Sequence, residues 1–174
     1  VMSHRGPDGV GRYVSADQRY QCGFARLAII DLETGDQPIL EDGGRRVLTG
    51  NGEIYNYREL RQSPRNRDYP YRTNGDMEVV LPLARALGKE FVHQLNGMYA
   101  LALYDGDADR LLLVRDRLGI KPLYWAKLPS GAIVYASEIK AMFASGLFEA
   151  EVDEQAVSAY LAHGYVPSPK TLFA

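Results

Sequence analysis

A single cysteine, Cys22, stands in a chain of 174 residues, so no internal disulfide can form and a stapled, secreted scaffold is not expected. Histidine is scarce too. His4, His93 and His163 lie far apart and show no ligand spacing, which leaves imidazole-based metal binding without support. No apolar run approaches the roughly 20 residues that cross a bilayer, and no basic-then-apolar leader opens the chain, so a cytoplasmic protein with no membrane partner is expected. Charge of one sign is also lacking. The formal net charge is -2 and the basic residues are scattered, which argues against a nucleic-acid surface and favours small molecules or other proteins as partners. There is no GxxxxGK[ST] phosphate loop, no internal repeat and no low-complexity tract, and the glycines at 6, 9 and 11 lack the preceding strand and following helix of a nucleotide fingerprint. An initial Met is missing as well: the chain opens on Val1 and closes in PSPKTLFA, and both ends read as cut.

What is present is a 46% hydrophobic chain, long enough for one well-buried core and too short to promise two complete domains. HRGPDG at 4–9 reads as an ordered turn. Residues 20–30 and 46–49 are strand-like, joined by a Gly-, Asp- and Pro-bearing loop. Residues 57–61 can start a short helix with Asn56 as N-cap, and Asp76 can cap a helix on which Val79, Val80, Leu83 and Leu87 recur at helical spacing until Gly88. Residues 91–95 suggest a short helical piece. Four strands are expected at 98–104, 111–114, 123–126 and 133–136 as a β-meander, followed by helices at 138–143 and 154–161 and a Pro-bearing linker. Mixed strands and helices without a repeating βα unit point to the α+β class rather than a doubly wound sheet.

Local chemistry is ambiguous. Cys22 lies within a strand-like run with no neighbouring base or cation to lower its pKa, so a structural thiol is the expectation. Asp105, Asp107 and Asp109 imitate the opening of a calcium loop, but Arg110 holds the position where the bend needs Gly and Asp116 the position of the bidentate Glu; a hairpin turn accounts for the acids better. In NGEIYN at 51–56, Asn51-Gly52 has two readings. Asn-Gly between apolar runs is a hairpin signal, yet the same pair can place an amide and an unhindered N–H beside a developing oxyanion. Spacing alone leaves both open.

Taken in order, HRGPDG, RLAIID, NGEIYN, TNGDMEV, LNGMYALALYD, VRDRLGIKPLYW and ASEIKAM, spanning residues 3–142, resemble the class II glutamine amidotransferase domain of glutamine-hydrolysing asparagine synthetases. The resemblance implies the N-terminal-nucleophile fold, a four-layer αββα sandwich of two antiparallel sheets between helices. It implies a glutaminase whose nucleophile is a cysteine at the mature N-terminus, with its own α-amine as general base. By motif position, Asn51 (side chain) and Gly52 (backbone N–H) match the oxyanion hole, and Arg26 matches the partner of the glutamine α-carboxylate. Glu53 and Asp76 match the groups that hold its α-ammonium, and the backbone of Leu27, Ala28, Ile29 and Ile30 matches a wall of the same pocket. No metal ligand is implied in this domain. ATP and Mg²⁺ are expected in a synthetase domain of the same chain, beyond the 174 residues, and homodimers are common in the family.

Two departures stand out. The family's opening Cys segment is not among these residues, so the polypeptide as written is expected not to hydrolyse glutamine, and Cys22, four residues before Arg26 and without a free α-amine, does not replace it. Gly75 stands where a Ser is usual, which removes any hydroxyl contact there. The expected organisation is an amidotransferase domain over residues 1–148 and, over 149–174, a helix and linker toward the synthetase domain. The expected activity is release of ammonia from glutamine for amidation of aspartate. The alternatives are another carboxylate acceptor, or an inactive glutamine-binding or scaffold domain.

Overall fold

Gly11 accounts for a strand that composition hides. Glycine is a poor strand former, and residues 9–14 were not expected to be one; yet a Cβ on Gly11 would run into the carbonyl of Gln37 and the ring of Pro38, so only glycine lets this segment lie where it does. In the computed structural model, which describes residues 1–173, β1 (Gly9–Val14) pairs antiparallel with β2 (Gln21–Arg26) as a two-stranded ribbon. The HRGPDG turn closes onto the end of β2, where Asp8 N donates to Arg26 O at 3.0 Å.

The main sheet has the order β3-β4-β5-β6, all antiparallel: β3 (Ile39–Glu41), β4 (Arg46–Ile54), β5 (Gly97–Asp105) and β6 (Arg110–Arg115). Its centre is MYALALY, within β5, where residues 99–104 are all buried. Against the sheet packs a helical segment made of α1 (Tyr57–Gln62), a 3-10 turn at Met77–Val79, α2 (Val80–Leu87) and a second 3-10 turn at Gly88–Gln94. Leu48, Ile54, Val79, Val80, Phe91 and Leu101 are fully buried between them. Each such side chain contributes about 1.5–3 kcal/mol relative to exposure, so this one cluster fixes how β4 and the segment around Asp76 face each other.

The chain divides into two units, Val1–Leu123 and Tyr124–Ala174. The second contains the hairpin β7 (Tyr124–Lys127) and β8 (Ile133–Ala136), then α3 (Ile139–Ala144) and α4 (Glu154–His163). Asp153 caps α4, accepting from Gln155 N at 2.9 Å and Ala156 N at 3.1 Å. Among the described residues no helix is long and apolar enough to cross a membrane.

The α+β class with antiparallel sheets is borne out, and several elements need correction. The expected meander is two separate hairpins, because 116–121 is no tight turn: Asp116 accepts from Leu118, Ile120 and Lys121 N–H groups at 2.9–3.1 Å and gathers the segment into a loop. The strand expected at 20–30 ends at Arg26. The Asn56 side chain does not cap α1; its amide joins Gln94 O and Asn96 N at 2.9 and 3.0 Å, tying the helix start to the approach of β5. The acids at 105–109 form a hairpin end in which Asp105, Asp107 and Asp109 pair with Arg46, Arg45 and Arg19.

Candidate active site

β3 pairs with β4 only from Arg46 to Leu48, so one edge of β4 is left without a strand from Gly50 onward. Side chains take the strand's place. Gln37 Oε1 accepts from Gly50 N at 2.6 Å and Gln37 Nε2 donates to Gly50 O at 3.0 Å. Asp76 Oδ2 accepts from Ile54 N at 2.6 Å. Alternate residues of a strand turn their backbone groups to the same edge, so the N–H of Gly52 faces the gap between these two caps. Tyr99, opposite Gly52 in the ladder, turns the other way: its N–H and C=O are engaged by Asp116 at 3.2 and 2.8 Å.

Asn51-Gly52 is thus not a hairpin turn, nor a bend at a strand end. It lies inside β4, in register with Ala100 and Tyr99. Gly52 has φ +132°, and a Cβ there would collide with the carbonyl of Met98, so the position accepts glycine only. Asn51, Gly52 and Glu53 line a cavity of about 400 Å³ with Arg26, Leu27, Ile29, Ile30, Gln37, Gly75, Asp76 and Lys121. Asn51 Nδ2 is shielded from solvent and has no acceptor among the described residues. A buried donor left in that state costs about 1–3 kcal/mol, a cost that a ligand oxygen would remove.

Asp76 is 6% exposed, and its carboxylate serves β4 rather than the helix: no side-chain cap bond forms at the 3-10 turn. Burial pushes its pKa above the ordinary range and the neighbouring Glu53 carboxylate pushes it further, against the hydrogen bond from Ile54 N–H. Two acids so placed favour a cationic occupant between them.

Arg26, at the end of β2, reaches the cavity from another wall. Its side chain is only 11% exposed, so it is not a surface strand residue. Nη1 donates to Asp36 Oδ1 at 3.0 Å and to Leu32 O at 3.3 Å, and Nη2 donates to Asp31 O. These bonds leave Nε outside them. The loop after β2 folds over the guanidinium at Gly35, where a Cβ would stand 2.8 Å from Nη2. Of the four residues expected to form the adjoining wall, Leu27, Ile29 and Ile30 do so; Ala28 does not line the cavity, and its N–H is bound to Asp8 Oδ2 at 2.8 Å.

Three supporting residues carried no assigned role in the sequence: Arg61, outside every quoted motif, and Glu78 and Asp31, inside TNGDMEV and RLAIID. Arg61 Nη2 donates to the carbonyls of Thr73 and Gly75 at 2.6 and 2.8 Å, with its guanidinium 4.1 Å over the Tyr71 ring. Glu78 accepts from Arg72 N and Thr73 N at 2.9 and 2.8 Å, and together these bonds hold the segment that delivers Asp76. Asp31 Oδ2 accepts from Asn74 N at 2.8 Å; burial opposes its charge, but hydrogen bonds from Thr34, Asn74 and Gly75 hold its pKa below the usual range. Gly75 is not a close approach. A Cβ there would find Thr73 Oγ1 at 3.6 Å and Asp31 Cβ at 3.7 Å, so its missing side chain is not required by packing. Cys22 is half-buried and outside the cavity lining; burial raises its pKa, partly offset by a hydrogen bond with Tyr20, and a raised pKa disfavours the nucleophilic thiolate.

A guanidinium on one wall, an acidic pair on another, and an unpartnered amide donor beside a glycine N–H suit a zwitterion that also carries a carbonyl. Comparisons with known proteins give the family. The glutamine amidotransferase domain family matches residues 1–174. Asparagine synthetase B of Escherichia coli is 43% identical over 82% of this chain and 25% of its own length, and asparagine synthetase 1 of Bacillus subtilis is 37% identical over 100% of this chain and 27% of its own length. The chain thus spans about a quarter of the length of these relatives. Among solved structures, glutamine phosphoribosylpyrophosphate amidotransferase from B. subtilis aligns at TM-score 0.57 and 26% identity, covering 75% of this chain and 30% of that one. A family match along the whole sequence, on a fold these enzymes share, leaves one assignment: the chain belongs to the glutamine amidotransferase domain family.

Proposed function

We propose that the cavity binds glutamine and that the domain hydrolyses its side-chain amide to glutamate and ammonia, as the glutaminase part of an asparagine-synthetase-type enzyme. The observation that carries this reading is Asn51 Nδ2, shielded and without an acceptor, next to Gly52 at φ +132°. In this reading the glutamine α-carboxylate meets Arg26, its α-ammonium meets Glu53 and Asp76, and its side-chain carbonyl lies at Asn51 and Gly52. The thiolate comes from an N-terminal cysteine outside these 174 residues, whose α-amine takes the thiol proton. Attack forms a tetrahedral oxyanion that Asn51 Nδ2–H and Gly52 N–H stabilise. The C–N bond then breaks with protonation of the leaving ammonia, and water cleaves the glutamyl thioester.

Ammonia would pass to an aspartate β-carboxylate activated by ATP elsewhere in a longer protein, an acceptor proposed because the relatives are named asparagine synthetases. Among the described residues no group of three or more His, Cys, Asp or Glu is placed to hold a metal ion, and the ATP with its Mg²⁺ would belong to a second domain. Residues 149–174 would lead toward that second domain.

The test is a glutaminase assay on the full-length protein. Glutamate release is expected, and none from a folded protein overturns the reading. Arg26→Ala should raise the KM for glutamine by about 10- to 100-fold, the ~1.5–3 kcal/mol of a hydrogen bond to a charged group, with a smaller change in kcat; an unaltered KM would remove Arg26 from the carboxylate site. Cys22→Ser should leave kcat and KM within about twofold, as for a side chain away from the chemistry. A dead enzyme would transfer the nucleophile's role to Cys22.

A further inference from the structure

Gln37 stands where a strand should. Going backward along the chain from Ile39, paired with Leu48, the next ladder positions would fall at residues 38 and 37 opposite 49 and 50. Pro38 has no N–H to offer, and the Gln37 backbone is turned toward β1, where its carbonyl leaves no room for a Cβ on Gly11. The side chain supplies what the backbone cannot. A primary amide carries one acceptor and one donor in a plane, as a peptide group does, and Gln37 uses both on Gly50, at 2.6 and 3.0 Å. Gly50 itself is wedged from the core side, where a Cβ would meet Met77 Sδ at 2.6 Å and Leu101 Cδ2 at 2.9 Å.

We infer that Gln37 is a positioning residue for the two donors at Asn51 and Gly52, an inference that rests on the function proposed above. The free edge of β4 carries three successive outward-facing residues, and Gln37 holds the first while Asp76 holds the third. Between these fixed points the backbone of 51–53 has little freedom, so the Gly52 N–H and the Asn51 side chain keep their direction with no ligand bound. Donors fixed in advance cost no reorganisation when charge develops, and a small displacement of them costs rate rather than affinity. The Gln37 amide touches no reacting atom in this scheme. It acts only through Gly50.

The test uses the full-length protein and the variant Gln37→Met, which keeps the length of the side chain and removes both hydrogen bonds. The expected result is a fall of about tenfold in the kcat for glutamine hydrolysis with KM within about twofold, the split that follows when a transition-state donor is displaced but the substrate's charged ends are still held. Amide hydrogen exchange at Gly50, whose N–H loses its acceptor, should rise at least about tenfold, while the β5–β6 amides keep their protection. Unchanged kcat overturns the inference and leaves the glutaminase reading standing. A loss of kcat matched by an equal loss of folded protein makes Gln37 merely structural and overturns it as well. Should the parent protein release no glutamate, the functional reading falls, and unchanged exchange at Gly50 removes the anchoring itself.

Discussion

Asn51→Ala should lower the kcat for glutamine hydrolysis in the full-length protein by about 100- to 1,000-fold, as removal of one oxyanion donor does. KM should move much less, because Arg26, Glu53 and Asp76 are left in place to hold the substrate's charged ends. Stability should move the other way. In the unliganded protein Asn51 Nδ2 is buried with no acceptor among the described residues, so truncating it removes a desolvated donor and should leave the fold as stable as before or more so by about 1 kcal/mol. That opposition separates a catalytic donor from a structural amide, whose loss would cost stability. Asn51→Asp sharpens the test: it preserves shape, withdraws the donor, and puts a negative charge where the oxyanion forms, so its loss of kcat should be at least as large. A kcat unchanged in the alanine variant would sink the oxyanion assignment whatever the stability.

Why this pair was ambiguous in the sequence is a matter of edges. Asn-Gly favours backbone angles with positive φ, and a hairpin turn and an irregular strand position both use them. Choosing between them requires knowing that β3 leaves β4 uncovered from Gly50 onward, and that is a fact of strand pairing between residues that local pattern does not join. The same limit hid β1, whose glycines lower strand propensity while Gly11 is fixed by the approach of Gln37 and Pro38. It hid Gln37 too, since an isolated Gln in a loop carries no periodicity and no charge. By contrast, β5 was legible because MYALALY is apolar on both faces, and α2 with the 3-10 turn before it because Val79, Val80 and Leu83 repeat at helical spacing and all end in the core. The charged members of the site were legible only through motif position. Arg26 and Asp76 read locally as a strand residue and a helix cap, and in the folded chain both line one cavity.

Asp76→Asn should raise the KM for glutamine by about 30-fold or more, the ~2–5 kcal/mol lost when one partner of a buried charge pair is removed. The neutral isostere keeps an oxygen that accepts from Ile54 N–H, so β4 retains its cap and the strand edge should not move. Fold stability should rise in the variant at neutral pH, for a reason that fixes the sign. Burial and Glu53 raise the Asp76 pKa in the folded protein above its unfolded value of about 3.9. A raised carboxyl contributes its stability in full below the unfolded pKa, and that contribution is lost as pH rises through the folded pKa. Above that point the ionised, desolvated carboxylate is a cost which Asn does not carry. The stability difference between variant and parent should therefore widen as pH rises from about 4 toward neutrality. Glutamine should reverse it, because an ammonium between Glu53 and Asp76 compensates both charges, so the thermal stabilisation that glutamine gives the parent protein should grow with pH over the same range and be weak in Asp76→Asn. If the variant proves stable with an unaltered KM, Asp76 is not an ammonium partner. If instead it is less stable than the parent at neutral pH, the ionised carboxylate gains more from the Ile54 N–H bond than burial costs it, and the expected pH dependence falls.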